Sequence, residues 1–516
     1  MNCKITDFGA VGDGETLCTD AFNKTVEAVH NSGGGYAEVP PGKYVSGSVK
    51  LLSDVYLKLH PGAEILGSRH MSDYAAPQRL CKWHPHGFNG FEGIDYYGDD
   101  YIPGCKCYAL VYADRAVNTG IVGEGVIDGR RGRDFPVTNE AGRPFLTVFS
   151  ECEHVKVTGV TLKNSGMFAF YGLNSKRVMI EGVTVLTARS VNGDGLDFDG
   201  GRDVVISDCI FETGDDSIGL KTLTASEPCE NFAITNCIFR SLWAGIRLGP
   251  ETAGDMRNIT VSNCVFDGCN DGLKIQVCND ITFEDLQFTN LSMKNVVRPI
   301  FMTNNHFNMS CDVKTVRPAS GRLRRVLFSG INAVMAKREG DALFEGYNAI
   351  TGLFNAPIEN ITMRDVHIIA HGTGTAEQGR RSNVPELLEY RTFYPEAPAY
   401  RGVLPAADLY IKNAVNVRMT DCTFACANPD GRYAVCAENT QGLKITGTEA
   451  INNAGLLRYI DCDGFKVSDC AGEVAAFTHE ESKTWRGNME EMKAADAKMA
   501  EEAAEIDKTL KNCQRI

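Results

Sequence analysis

The chain has 516 residues, with 66 acidic against 52 basic side chains and a net charge of −14. That balance argues against a nucleic-acid partner, whose phosphates require a basic face, and no run approaches the ~18 apolar residues of a membrane span. The apolar (43%) and charged (23%) fractions are those of a globular protein, and 52 glycines point to many tight turns.

The start, MNCKITDFGAVGDG, carries no apolar leader, so the expectation is a cytoplasmic protein. The 19 cysteines agree. Cys209, Cys237, Cys264, Cys422 and Cys470 stand in apolar, strand-like runs and read as small buried hydrophobes in a reducing compartment. Cys105 and Cys107 form a CxC pair, but no second pair follows at ligand spacing, so no metal is expected there. Residues 19–29 read as an amphipathic helix with Thr19 or Asp20 as its cap. Gly33 to Gly35 and the strand-like AEVPPGKYV follow. This segment is expected to cover one open end of the fold.

From Val157 a short phrase recurs, apolar–polar–Asn/Asp/Gly–apolar–x–apolar. It reads VTGVTL, IEGVTV (Ile180), ISDCIF (Ile206), ITNCIF (Ile234), VSNCVF (Val261) and FEDLQF (Phe283), with steps of 23, 26, 28, 27 and 22 residues. Later copies are FSGINA (Phe328), MRDVHI (Met363), MTDCTF (Met419), ITGTEA (Ile445) and VSDCAG (Val467), with insertions between some of them. Each phrase alternates like a half-buried strand. A second short strand follows many copies: GLDFDG, SIGLKT, AGIRLG, DGLKIQ. The period is too short for a βαβ unit, which needs about 30 residues. It suits a parallel β-helix, whose coils bury their faces only by stacking. The stack forms one domain, expected over residues 1–484.

Beyond it, residues 485–516 form a second segment. Met492, Ala495, Met499, Ala503, Ile506 and Leu510 follow helical spacing. The expectation is an amphipathic helix packed along the solenoid or plugging its end. A dimerising coiled coil giving a homo-oligomer is the alternative, although Asp496 stands where a heptad wants an apolar residue.

The sharpest local signal lies in two successive coils. One carries Asn192-Gly193-Asp194-Gly195-Leu196-Asp197, the next Gly214-Asp215-Asp216-Ser217-Ile218-Gly219-Leu220-Lys221. Stacked strands lie about 4.8 Å apart, so Asp194, Asp215 and Asp216 should share one face. Crowded carboxylates push at least one pKa up, keeping one group as an acid while another serves as a base. Glycoside hydrolysis requires such a pair. Aspartates at β-helix turns also cap backbone groups, and Asp199, before a Gly-Gly turn, reads as structural. A calcium site is the other reading of the cluster.

These motifs resemble glycoside hydrolase family 28, the polygalacturonase family. NGDGLD is similar to its NTD motif and GDDSIGLK to its doubled-aspartate motif. ITDFGAVGDGETLCTDAFNKTVEAV resembles the N-terminal cap of bacterial members, and YPEAPAYRGVLPAADLYIKNAVNV a late stretch of them. The resemblance spans roughly residues 4–475. It implies a right-handed parallel β-helix and an inverting hydrolase with no metal or other cofactor, acting on a carbohydrate. It implies Asp215 as general acid, with Asp194 and Asp216 holding and activating water. Inversion is expected to set the carboxyl groups about 6.5–9.5 Å apart.

The departures shape the rest of the site. The family has a Gly-His-Gly one coil after the double aspartate; here SLWAGIRLGPE puts Trp243 at the expected histidine. The family's Arg-Ile-Lys, which binds the substrate carboxylate, reads Lys274-Ile275-Gln276. Lysine for arginine loses the planar fork, and glutamine for lysine loses a charge. Either another group does the histidine's work or the chemistry differs. A neutral sugar is one consequence; a uronate held by Arg247, Arg298 or Lys221 is the other. Asn192, Lys221, Trp243, Arg247, Lys274 and Gln276 are therefore the expected substrate contacts, with Trp243 stacking on a sugar ring.

Residues 70–118, 299–320 and 371–402 read as cleft-wall loops. His84, His86, His306 and His371 lie in them, and Glu386 and Glu396 are alternative acids. Long walls favour exo action on short pectin-related saccharides or a plant glycoside. A lyase or epimerase on the same solenoid and a non-catalytic carbohydrate-binding protein are the competing readings.

Overall fold

A computed structural model describes residues 2–74, 108–131, 143–190, 192–222, 227–278, 280–305, 321–336, 347–382, 384, 400 and 402–477. The expected C-terminal helix (485–516), the CxC pair, His84, His86, His306, Glu386 and Glu396 lie outside them.

The repeat phrases are strands that stack in parallel, each pairing with its equivalent one coil later. Val157 lies opposite Ile180, Ile180 opposite Ile206, Ile206 opposite Ile234 and Ile234 opposite Val261. One expected copy is out of register. Val261 pairs with Phe288, the last residue of FEDLQF rather than its first, and Phe288 pairs with Phe328. FTNLSM is therefore the true repeat. FEDLQF occupies the earlier half of the same 15-residue strand, Thr282–Val296. Both halves alternate in the same way, so the pattern alone could not choose between them.

The third position of the phrase turns the chain. Gly159, Gly182, Asp208, Asn236, Asn263, Asp365 and Asp421 all have φ between 51° and 74°. Glycine, asparagine and aspartate tolerate that left-handed conformation best. Neighbouring turns also bond: Asn231 Nδ2 donates to Asp203 Oδ1 at 2.8 Å, and Asn258 Nδ2 to Asn231 Oδ1 at 2.7 Å. Inside, like residues stack on like. Phe211, Phe239 and Phe266 form one column with centroids 5.1 and 4.9 Å apart, while Cys209, Cys237 and Cys264 form a second, fully buried column. Each such phenylalanine contributes about 1.5–3 kcal/mol on leaving water.

The N-terminal helix spans Thr19–Asn31, with Phe22, Val26 and Val29 buried against the first coil. Its start corrects the expected cap. Cys18 holds the cap position without a side-chain bond, and Thr19 Oγ1 instead accepts the N–H of Gly47 at 2.8 Å. The hydroxyl ties the helix to the next strand rather than closing its own first turn. No helix among the described residues is long and apolar enough to cross a membrane.

Candidate active site

The site grows from the ends of three successive strands on one sheet: Leu196–Asp199, Ile218–Thr222 and Ala244–Thr252. Leu196 pairs with Ile218, and Ile218 with Ile246. Counting back two residues puts Asp194, Asp216 and Ala244 in one column and Gly193, Asp215 and Trp243 in the next. Asp271 and Arg298 continue the first column through two further coils. Stacking thus converts spacing along the chain into contact.

Asp194, Asp215 and Asp216 come together, each offering one oxygen within 4.8 Å of the others. The expected separation of about 6.5–9.5 Å is one of whole carboxyl groups, and the nearest oxygens lie closer together than the carboxyl centres do. A water bonded to two such oxygens at ~2.7 Å each reaches across up to ~5.4 Å, so the gap suits one water. Among the described residues this is the only acidic group tight enough to hold a cation. Lys221 and Arg247 already place two positive charges against it, which opposes a divalent ion.

The three carboxylates differ in surroundings. Asp194 is 3% exposed, and its Oδ1 has no hydrogen-bond partner among the described residues. Burial and then the charges of Asp197 and Asp215 push its pKa well up, against the pull of Lys221. Asp216, equally buried, accepts the N–H of Ala244 on Oδ1 at 3.1 Å and meets Arg247 Nε at 3.4 Å on Oδ2. Asp215 is the most open of the three. Burial of its carboxyl and the neighbouring Asp216 raise its pKa to about 7, with Arg247 and Lys221 opposing. Its backbone is held firmly: the hydroxyls of Thr213 and Ser241 both donate to its carbonyl at 2.7 Å.

Sequence reasoning missed three parts of the site. Asp197, fully buried, lies 2.6 Å from Lys221 Nζ, and the same ammonium lies 3.6 Å from Asp194 Oδ2. The NGDGLD phrase contained this residue, but its approach to Lys221 needs the room left by Gly219, its partner on the next coil. A Cβ there would stand 2.5 Å from Asp197 Oδ1. Asp271 takes Arg298 in a two-pronged pair, Nε to Oδ1 at 2.6 Å and Nη2 to Oδ2 at 2.8 Å, with Lys274 3.6 Å away. Burial opposes ionisation of Asp271, yet Arg298 and Lys274 hold its carboxyl below the usual range. Arg143 donates to Asn192 Oδ1 at 2.8 Å; no motif around it signals this.

The expected substrate contacts divide sharply. Asn192 and Trp243 reach the surface, as the catalytic candidate Asp215 does on the coil between them. Lys221, Arg247, Lys274 and Gln276 are all buried, the last two completely. Lys274 Nζ lies 5.5 Å from the Trp243 ring centroid, a cation held over one aromatic face. Arg247 lies between the core residues Ile246 and Leu248 on its strand, so it faces away from the core, yet it is buried by its neighbours on that face. Its Nε donates to Gly249 O at 2.9 Å and its Nη2 to Gln276 Oε1 at 3.0 Å. Asp199, expected to be structural, accepts the Tyr171 hydroxyl at 3.3 Å. The backbone carbonyl of His371 accepts the side-chain amide of Asn428 at 3.0 Å.

A sequence profile of the glycosyl hydrolases family 28 matches residues 98–385. A probable polygalacturonase of Vitis vinifera is 26% identical over 323 residues, 59% of this chain and 63% of that protein. An exo-poly-alpha-D-galacturonosidase of Dickeya chrysanthemi is 25% identical over 348 residues, 57% of this chain and 55% of that protein. The chain thus spans less than two thirds of these relatives. A hyperthermoactive exopolygalacturonase of Thermotoga maritima has a similar structure, with TM-score 0.57 and 23% identity over 72% of this chain and 87% of that one.

Proposed function

Because the chain belongs to family 28 of the glycosyl hydrolases, we propose that it hydrolyses a glycosidic bond in a galacturonan-related saccharide, with inversion at the anomeric carbon. Asp215 gives its proton to the glycosidic oxygen as that bond breaks. A water between Asp194 and Asp216 attacks the anomeric carbon from the opposite face, and one of these carboxylates takes its proton. The observation that carries this reading is the trio of carboxylate oxygens within 4.8 Å, with the most open of them titrating at about 7. A general acid works best with a pKa near the operating pH.

The line of accessible residues, Asn192, Asp215 and Trp243, is the proposed floor of the subsite where the bond is cut. Trp243 stacks on a sugar face there. The proposed substrate is short and cut from its end; the Dickeya relative, an exo-acting galacturonosidase, supports this. We also propose a cytoplasmic setting, in which the cysteines stay reduced, and a separate helical segment at 485–516.

Proton NMR of the protein with galacturonides, rhamnogalacturonan fragments, rhamnosides and galactosides tests the reading. The expected result is a new reducing end that forms first as the inverted anomer. First formation of the retained anomer would make Asp194 or Asp216 a nucleophile, for which close carboxyl groups, about 5–5.5 Å apart, are suited. Vinylic protons would mean a lyase instead.

A further inference from the structure

Two departures from the family pattern meet at one buried contact. The histidine one coil beyond the double aspartate is missing, and the second cation of the Arg-Ile-Lys motif is replaced by Gln276. In the column over Asp216 stands Ala244, which offers only its N–H. The cation reaching Asp216 comes from Arg247, three residues further along that strand, 3.4 Å from Oδ2. Arg247 is 6% exposed and Gln276 fully buried, and the glutamine oxygen accepts the guanidinium at 3.0 Å.

An arginine carries donors and no acceptor, and so does a lysine. With Arg247 in place, a lysine at 276 would set a second positive charge against the guanidinium where both side chains are buried, and like charges there are costly. A glutamine supplies the acceptor that fixes the fork. We propose that Arg247 and Gln276 form a linked positioning pair that holds Asp216 in place of the family histidine, and that Gln276 makes no contact with substrate. This rests on the assignment of Asp216 to the water-holding role. The other charged groups acting on Asp216 or Arg247 are Asp194 and Asp197 on the coil before, Asp215 beside Asp216, and Asp271 on the coil after, where Lys274 lies opposite Arg247.

The test compares Gln276→Lys, which restores the family residue, with Gln276→Glu, which keeps the acceptor. With a galacturonide substrate, Gln276→Lys should lower kcat about tenfold or more and leave KM within about twofold, the pattern of a lost transition-state arrangement. It should also displace the acidic limb of the pH–kcat profile. Gln276→Glu should hold kcat within about threefold at unchanged KM. If position 276 touches a uronate, the signs reverse: Gln276→Lys lowers KM, Gln276→Glu raises it, and the proposal is wrong. A second measurement is independent of turnover. Carbon-13 carboxyl titration of the aspartates, without saccharide, should differ between the wild type and Gln276→Lys at Asp216. An unchanged titration overturns the pair. Should no saccharide be cleaved by the wild type, the hydrolase reading fails on its own and the titration still decides the pair.

Discussion

Lys221 Nζ stands 2.6 Å from Asp197 Oδ2, one coil away, with both side chains closed off from solvent. The ammonium also lies 3.6 Å from Asp194 and 4.5 Å from the centroid of the Phe168 ring. Burial alone would depress its pKa, but Asp197, Glu251 and Asp194 together hold it well above the ordinary value. Lys221 is thus a fixed positive charge that links Asp194 to the body of the coil.

Removing that charge should be expensive. Lys221→Met leaves Asp197 and Asp194 buried against each other with no cation. The expected loss is about 3 kcal/mol of stability, the scale of a broken buried pair, read by chemical denaturation. Lys221→Met combined with Asp197→Leu should recover most of it, since an apolar pair of similar volume is often as stable. Failure of the double variant to recover would mean that Asp197 supports the coil in some other way.

Gly219 should tolerate no side chain. A methyl group there stands 2.5 Å from Asp197 Oδ1, so Gly219→Ala pushes Asp197 off Lys221. A cost of about 1–3 kcal/mol is expected from the overpacking, together with a fall in kcat. An unchanged melting temperature would contradict the close approach.

Asp215→Asn keeps the shape of the carboxyl and removes its proton donor. The loss of general acid catalysis should lower turnover by at least ~10²–10⁴-fold, measured by reducing-end release, while saccharide binding by calorimetry persists. Persistent turnover would move the acid role to another residue.

The pH dependence follows from two raised carboxyls. Asp215 rises from 3.8 to about 7 and Asp197 to about 6, burial being the largest cause for both. A carboxyl whose pKa is higher in the fold binds its proton more tightly there, so the fold is favoured while the group is protonated. Stability from these groups therefore declines as pH rises from about 4 through about 7. Asp215→Asn should melt at a higher temperature than the wild type above pH 7 and show no such advantage at pH 4. Activity that requires protonated Asp215 should fall as pH rises through about 7. A rate still climbing above pH 8 would speak against Asp215 as the acid.

Trp243→Ala removes the aromatic face beside Asp215. The expected effect is a rise in KM of about tenfold, or about 1.4 kcal/mol, with kcat changed much less. An unchanged KM would make Trp243 a wall residue held by Lys274 rather than a platform.

The sequence alone determined the solenoid and the catalytic candidates, because both are periodic. A strand phrase every 23–28 residues can bury its apolar side only by stacking, and two acidic motifs one period apart must then meet. Asp194, Asp215 and Asp216 were legible for that reason. Only the tertiary structure decided which contacts follow. The register of Phe288 could not be chosen by a pattern that fits both halves of one strand. The pairing of Asp197 with Lys221, of Asp271 with Arg298 and of Arg247 with Gln276 depends on side-chain direction across coils. Linear spacing carries no information about that direction. The structure likewise separated the open residues, Asn192, Asp215 and Trp243, from the buried Lys274 and Gln276. Burial is a property of what covers a residue, and the covering segments come from other turns of the chain.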